Sequence, residues 1–187
     1  MMAFEIFQKY RKMDYAVIAF SSLIWLILAT FSNTFEPQLA YLLSLLFGLI
    51  LLSFAVQITR KAGTGLLFMG VSSILTSHIG DIGVVGFQKF IMFILAGIVF
   101  EAVFLILKLE VKDIQLDILG GTAIAGMMIP LFMGLIISSA LAWQLINGLL
   151  NMMITSFFIG VIGYVVSFMF WHAFRRRKFM VKLMFGL

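Results

Sequence analysis

No cysteine occurs in the 187 residues of the chain. Disulfides, thiolate metal sites and thiol redox chemistry are excluded together, while the compartment stays open. Charge is also scarce, because Asp, Glu, Lys and Arg make up only 11% of the residues, against about 25% in an ordinary soluble domain. No polar stretch is long enough to build a separate soluble module. Catalytic signatures are missing as well: there is no HExxH, no Gly-x-Ser-x-Gly elbow and no P-loop. The chain is therefore not expected to be an enzyme, and any ATP-driven step would have to come from other subunits.

What is abundant is apolar surface, with 63% hydrophobic residues and a mean hydropathy of +1.16. The apolar runs repeat along the whole length, which reads as one integral membrane domain, residues 1–187, of all-α class. A bilayer core about 30 Å thick takes roughly 20 apolar residues per helix. Six runs meet that length approximately: 14–32, 38–58, 63–79, 87–107, 116–140 and 145–173. The first is read as a mature helix, since no small-residue cleavage site of the signal-peptide kind follows it. The third is short and rich in Gly and Ser, so it is expected to be broken, tilted or shielded by its neighbours.

Basic residues stay on the cytoplasmic side of short loops, and here their distribution is one-sided. Lys9, Arg11, Lys12, Arg60, Lys61, Lys108, Lys112 and the closing "RRRKFMVK" fall on one side, leaving only Lys89 on the other, beside Glu36, His78 and Asp81. Six spans in a compact bundle with both termini cytoplasmic fit this pattern; five would break it. The net charge of +5 is then a topology and lipid-headgroup signal, and no nucleic-acid partner is expected.

Glu101 is the conspicuous residue. It lies twelve positions from Lys89 and seven from Lys108, in the inner half of the fourth span, where an ionised carboxylate costs several kcal/mol unless paired, hydrated or protonated. The alternatives are a proton or cation relay, a contact to a partner subunit, or a structural carboxyl bonded to another helix. No second acidic residue lies well inside a span, which weighs against a relay. Small residues inside the spans, such as the pair Gly121 and Ala125, favour close helix packing.

The loops opposite the basic side hold the other polar candidates. They are "SNTFEPQ" with Glu36, "SHIGDIGVVGFQK" with His78 and Asp81, and "LAWQLINGLLN" with Trp143, Gln144, Asn147 and Asn151. Trp143 and Asn147 share a helix face. Together the loops offer an aromatic wall and a few polar groups, as a small-ligand pocket requires; the plainer alternative is ordinary interfacial loops with Trp143 as a belt anchor. His78 and Asp81 alone do not make a metal site. His172 falls in the opposite leaflet from His78, so a bis-histidine haem is not expected, and no cofactor is assigned.

The segment "RKAGTGLLFMGVSSILTSHIGDIGVVGFQKFIMFILAGIVFEAVFLIL", residues 60–107, carries a basic-plus-Gly start, a short Gly/Ser-rich helix and a G-x-x-x-E-x-x-F element at Gly97, Glu101 and Phe104. It resembles the substrate-binding S components of energy-coupling-factor (ECF) vitamin transporters, in particular the hydroxymethylpyrimidine/thiamine-type branch. Outside residues 60–107 the likeness is one of topology. The resemblance implies a cell-membrane subunit that captures a vitamin or similar small nutrient from outside. It also implies partners: a transmembrane coupling subunit and two cytoplasmic ATPases. The family's Ala-x-x-x-Ala docking stripe is replaced here by Ala16, Ala19 and Ser22, which share roughly one face of the first helix. The rival readings are a stand-alone gradient-driven carrier or channel using Glu101, and a structural subunit of a larger membrane complex.

On this reading, Trp143→Ala weakens ligand binding without unfolding the protein. Unchanged affinity in a binding titration would remove Trp143 from the site.

Overall fold

The computed structural model describes residues 9–107, 110–111, 114–137 and 143–174. Six helices run in the order α1 (Lys12–Ser32), α2 (Pro37–Thr59), α3 (Thr64–Leu75), α4 (Gly86–Leu107), α5 (Leu116–Ile137) and α6 (Trp143–Phe174). Between α4 and α5 the chain forms a small antiparallel hairpin, β1 (Glu110–Val111) with β2 (Ile114–Gln115). Five of the helices are long and apolar enough to cross a membrane, which makes this a multi-pass helical membrane protein. Their ends match the apolar runs closely, since the runs are set by the length a bilayer demands.

The third run behaves differently. It was expected over 63–79, yet its helix stops at Leu75 after 12 residues, or about 18 Å of rise. Thr76 is its C-cap, at φ −97° and ψ 10°, with its N–H and its hydroxyl both donating to Ser72 O at 2.9 Å. The rest of the segment, 76–85, continues as turns with left-handed Gly83 at φ 81°.

A helix that ends inside an apolar bundle leaves N–H groups at its start and C=O groups at its finish without partners. Both ends of α3 are satisfied by side chains of α4. At the start, Glu101 Oε1 accepts from Gly65 N at 2.7 Å and from Leu66 N at 3.4 Å. At the finish, Lys89 Nζ donates to Thr76 O at 2.9 Å and to Ile79 O at 3.0 Å. The signs also match the helix dipole, with the acid at the N-terminus and the base beyond the C-terminus. Lys89 is therefore an interior group and not a loop-end charge, as its sequence position had implied; its exposure is 0%.

Close packing holds α3 in this register. A Cβ on Gly65 would come within 2.3 Å of the Phe100 ring, and one on Gly97 within 3.1 Å of Leu66 Cα. Trp25 of α1 stacks on Phe68 of α3 and meets Phe93 of α4 edge-on, with centroids 5.9 and 5.0 Å away. Ser72 donates to Ser22 at 2.9 Å, tying α3 to α1.

The end of the bundle that carries Arg60 and Lys61, called the basic end here, is closed by a second set of bonds. Lys61 pairs with Asp14 and also donates to Lys9 O at 2.8 Å, while the Asp14 carboxylate accepts from Arg11 N at 2.6 Å at the start of α1. Tyr10 donates to Ala62 O at 2.7 Å, and burial raises its phenol above the ordinary range, so the hydroxyl keeps its proton. The remaining surface is strongly apolar, with Phe20, Ile27, Ile106 and Met169 each about two-thirds exposed or more, as a hydrocarbon environment allows.

Glu101→Leu removes the acceptor at the start of α3 and is expected to cost about 1–3 kcal/mol of stability. Glu101→Gln, which keeps a carbonyl acceptor, costs less. Thermal unfolding in detergent, with amide exchange at Gly65 and Leu66, reads both. A leucine variant as stable and as protected as the parent would refute the capping role.

Candidate functional site

At the end of the bundle opposite the basic end, the 76–85 segment is pinned from beneath. Lys89 pairs with Asp81, and Asp81 accepts a hydrogen bond from the Ser44 hydroxyl of α2. Asp81, Lys89 and Ser44 are all buried. A buried pair of this kind survives only with further hydrogen bonds around it, and the two carbonyls on Lys89 and the hydroxyl on Asp81 provide them. The result is a turn segment fixed to α2 and α4.

Beside this segment lies a cavity of about 440 Å³, within the size range of small-molecule sites. Gly80, Ile82 and Gly83 form one side of it. Pro37, Gln38 and Tyr41 at the start of α2 form a second side, and Met133 of α5 with Asn151, Met152 and Thr155 of α6 forms a third. Tyr41 Oη lies 2.8 Å from Ser156 Oγ, which orients the phenol across the α2–α6 interface. Thr155 already donates to Asn151 O at 2.9 Å, so its hydroxyl oxygen remains an acceptor. The wall is apolar and thioether-rich, with amide and hydroxyl groups at a few points and no charged side chain. Such a cavity suits a neutral ligand that carries one or two hydrogen-bonding groups.

Of the residues expected from the sequence, Glu36, His78 and Asp81 lie near this cavity without lining it. Glu36 is exposed at the cap of α2, next to the lining residue Pro37. His78 is exposed. Asp81 stands between the lining residues Gly80 and Ile82, but its carboxylate is committed to Lys89 and Ser44 and is not presented to a ligand. Trp143, Gln144 and Asn147 fall in the first turns of α6, and their side chains lie outside the described residues. Asn151, one turn beyond Asn147 on the same helix, does line the cavity.

Tyr41, Met133 and Met152 carried no signal in the sequence, because each sits in an apolar run where a core residue would look identical. Gln38, Asn151 and Thr155 were more legible, being polar positions in the first turns of α2 and near the start of α6.

On α1, Ala16 and Ala19 are exposed, whereas Ser22 is completely buried and bonded to Ser72. The three do not form one open groove: the helix turns Ser22 toward α3, where a hydroxyl finds a partner. Glu101 has one oxygen on α3, and its other oxygen, Oε2, is buried without a hydrogen-bond partner among the described residues. Among the described residues no group of three or more His, Asp or Glu side chains is placed to hold a metal ion. His172 is exposed near the end of α6, 6.1 Å from Phe168 between ring centroids.

Comparison with protein-family models, curated proteins and solved structures gives no match to this chain.

Lys89→Met leaves Asp81 buried without its counter-ion and is expected to cost about 3–5 kcal/mol. The double variant Lys89→Met/Asp81→Leu removes both charges and is expected to be more stable than the single one. A double-mutant cycle by denaturant unfolding reads the coupling; strictly additive losses would show that the two side chains act independently.

Proposed function

We propose that the chain is the substrate-capture membrane subunit of an ECF-type, ATP-driven importer for a vitamin or similar small nutrient. The observation that carries this reading is the cavity of about 440 Å³ at the end opposite the basic residues. By the charge bias of the loops that end faces outward, so a ligand enters from outside and meets the Tyr41, Met133 and Met152 walls. Gln38, Asn151 and Thr155 orient it. The short third helix and the glutamate of the fourth, the features on which the family resemblance rests, support the same reading. Among the described residues the chain offers nothing that hydrolyses ATP, so the energy comes from partners. These are a transmembrane coupling subunit and two cytoplasmic ATPases, with Ala16 and Ala19 on the exposed face of α1 as the coupling surface.

A second reading, a stand-alone gradient-driven carrier, is favoured by one observation: Glu101 Oε2 is buried and unpartnered among the described residues, as a titrating carboxyl in a transport cycle would be.

Native mass spectrometry of the gently extracted protein tests the two together with a cavity-filling variant. Capture predicts a bound vitamin-sized molecule, copurifying ATPase and coupling subunits, and loss of the molecule in Met152→Trp. Uptake by the lone protein in sealed vesicles driven by a proton gradient, abolished in Glu101→Gln, would overturn capture in favour of the carrier.

A further inference from the structure

Helix α6 carries one continuous exposed stripe. Asn151, Thr155, Phe158, Ile162, Val165 and Met169 are all exposed and follow one another at intervals of four and three residues, the spacing that keeps side chains on a single side of a helix. In a helix long and apolar enough to cross a membrane, an exposed apolar stripe of this kind meets lipid. Its first two members, Asn151 and Thr155, also line the cavity of about 440 Å³. One border of the cavity is therefore the lipid-facing side of α6.

The depth of that border follows from α2. Tyr41 meets Ser156 at 2.8 Å, and further along both helices Leu49 and Ile50 meet Gly163, so α2 and α6 run parallel. Tyr41 lies four residues, or about 6 Å of rise, below the start of α2 at Pro37. Thr155, next to Ser156, shares its level, and Asn151 stands one turn higher, level with Pro37 and Gln38. The polar groups are thus gathered at the outer rim, where Gln38, Asn151 and Thr155 are exposed. Deeper and to the side, Leu42, Ile82, Met133 and Met152 present only alkyl and thioether groups.

This grading selects a class of ligand. A charged molecule would find no counter-charge on the wall, and one polar over its whole surface would lose its hydration against Leu42, Ile82, Met133 and Met152 without recovering the hydrogen bonds. A molecule with one uncharged polar end and an apolar body satisfies both zones. A bilayer concentrates such molecules, so a mouth on lipid serves them directly. We infer that the cavity binds an uncharged amphiphile that enters sideways from the outer leaflet between α2 and α6. Its hydroxyl, carbonyl or amide group lies at Gln38, Asn151 and Thr155, and its apolar body lies against Met133 and Met152.

This ligand class deepens the capture reading and rests on the same cavity. It does not depend on ATP-driven partners, so import and ligand class fail separately. A resident component of the bilayer and a lipid-soluble nutrient share the chemistry.

The test is photolabelling of the full chain in phosphatidylcholine nanodiscs with a diazirine-bearing dodecanol, the label being mapped by peptide mass spectrometry. Label concentrates on the segments around Leu42 and Met152, and it falls about tenfold in Met152→Trp and in Leu42→Trp, which fill the cavity from two different walls. Unlabelled dodecanol competes, whereas dodecyl phosphate and dodecyltrimethylammonium at the same mole fraction do not. The wild-type pattern and the competition need no variant to fold. If label enters only after the purified protein is stripped of lipid, the ligand is a resident bilayer component; if it enters without that step, the ligand is supplied from outside. Label spread evenly along α6 from Thr155 to Met169 and unchanged by both variants would overturn the inference, as would equal competition by the charged chains. Copurified ATPases with evenly spread label would remove the lipid-soluble ligand and leave import standing, while focused label without ATPase partners would support the ligand class and remove import alone.

Discussion

The fold depends on one constraint: α3 is too short to reach across an apolar bundle, and its broken ends must be satisfied without water. An unpaired backbone group in such surroundings costs several kcal/mol, so a 12-residue helix with bare ends would not persist there. Helix α4 removes the difficulty by placing Glu101 at the start of α3 and Lys89 beyond its finish. The two residues are twelve positions apart on α4, and α3 is itself twelve residues long. Two antiparallel helices of equal rise bring those side chains level with the two ends.

Other features follow from this arrangement. Lys89 inside the bundle demands a counter-ion, which Asp81 supplies from the turn segment after α3. Asp81 in turn has spare acceptor capacity, which Ser44 of α2 uses. The chain of bonds thus fixes the 76–85 segment against two helices and makes it a firm wall for the neighbouring cavity. At the basic end, Asp14 and Lys61 close the turn between α2 and α3, where Arg60 takes the left-handed conformation at φ 51° and Gly63 at φ 88°. Neither buried pair is worth much as a source of stability; what each contributes is a fixed position for the chain.

Membrane class, helix positions and the anomaly of the third run were legible from apolar length alone, because a bilayer imposes one scale on every span. The purpose of Glu101 was legible only as a choice between relay, partner contact and structural carboxyl. Its structural bond to α3 depends on the register between α3 and α4, which Gly65, Gly97 and Phe100 set through contact and which no local pattern reveals. Asp81 and Lys89 misled for the same reason. Both sit near a loop in sequence, and loop position suggests solvent, yet the shortness of α3 draws the loop down into the bundle. The cavity wall was the least legible part, since Tyr41, Met133 and Met152 differ from ordinary core residues only by what lies opposite them.

The distribution of these bonds divides the bundle into unequal halves. Helices α1, α3 and α4 are joined by aromatic packing around Trp25, by the Ser22–Ser72 bond and by charged caps, and both described ion pairs fall on the turns that flank α3. The contacts of α5 and α6 with α2 rest instead on small residues and on hydroxyl pairs such as Tyr41 with Ser156. Separating two apolar surfaces inside lipid loses packing but exposes no charge, whereas moving α3 would strip partners from Lys89 and Glu101 at once. Any opening of the cavity therefore falls on the α5–α6 side, where Met133, Asn151 and Met152 stand. The α3 side serves as the fixed jaw.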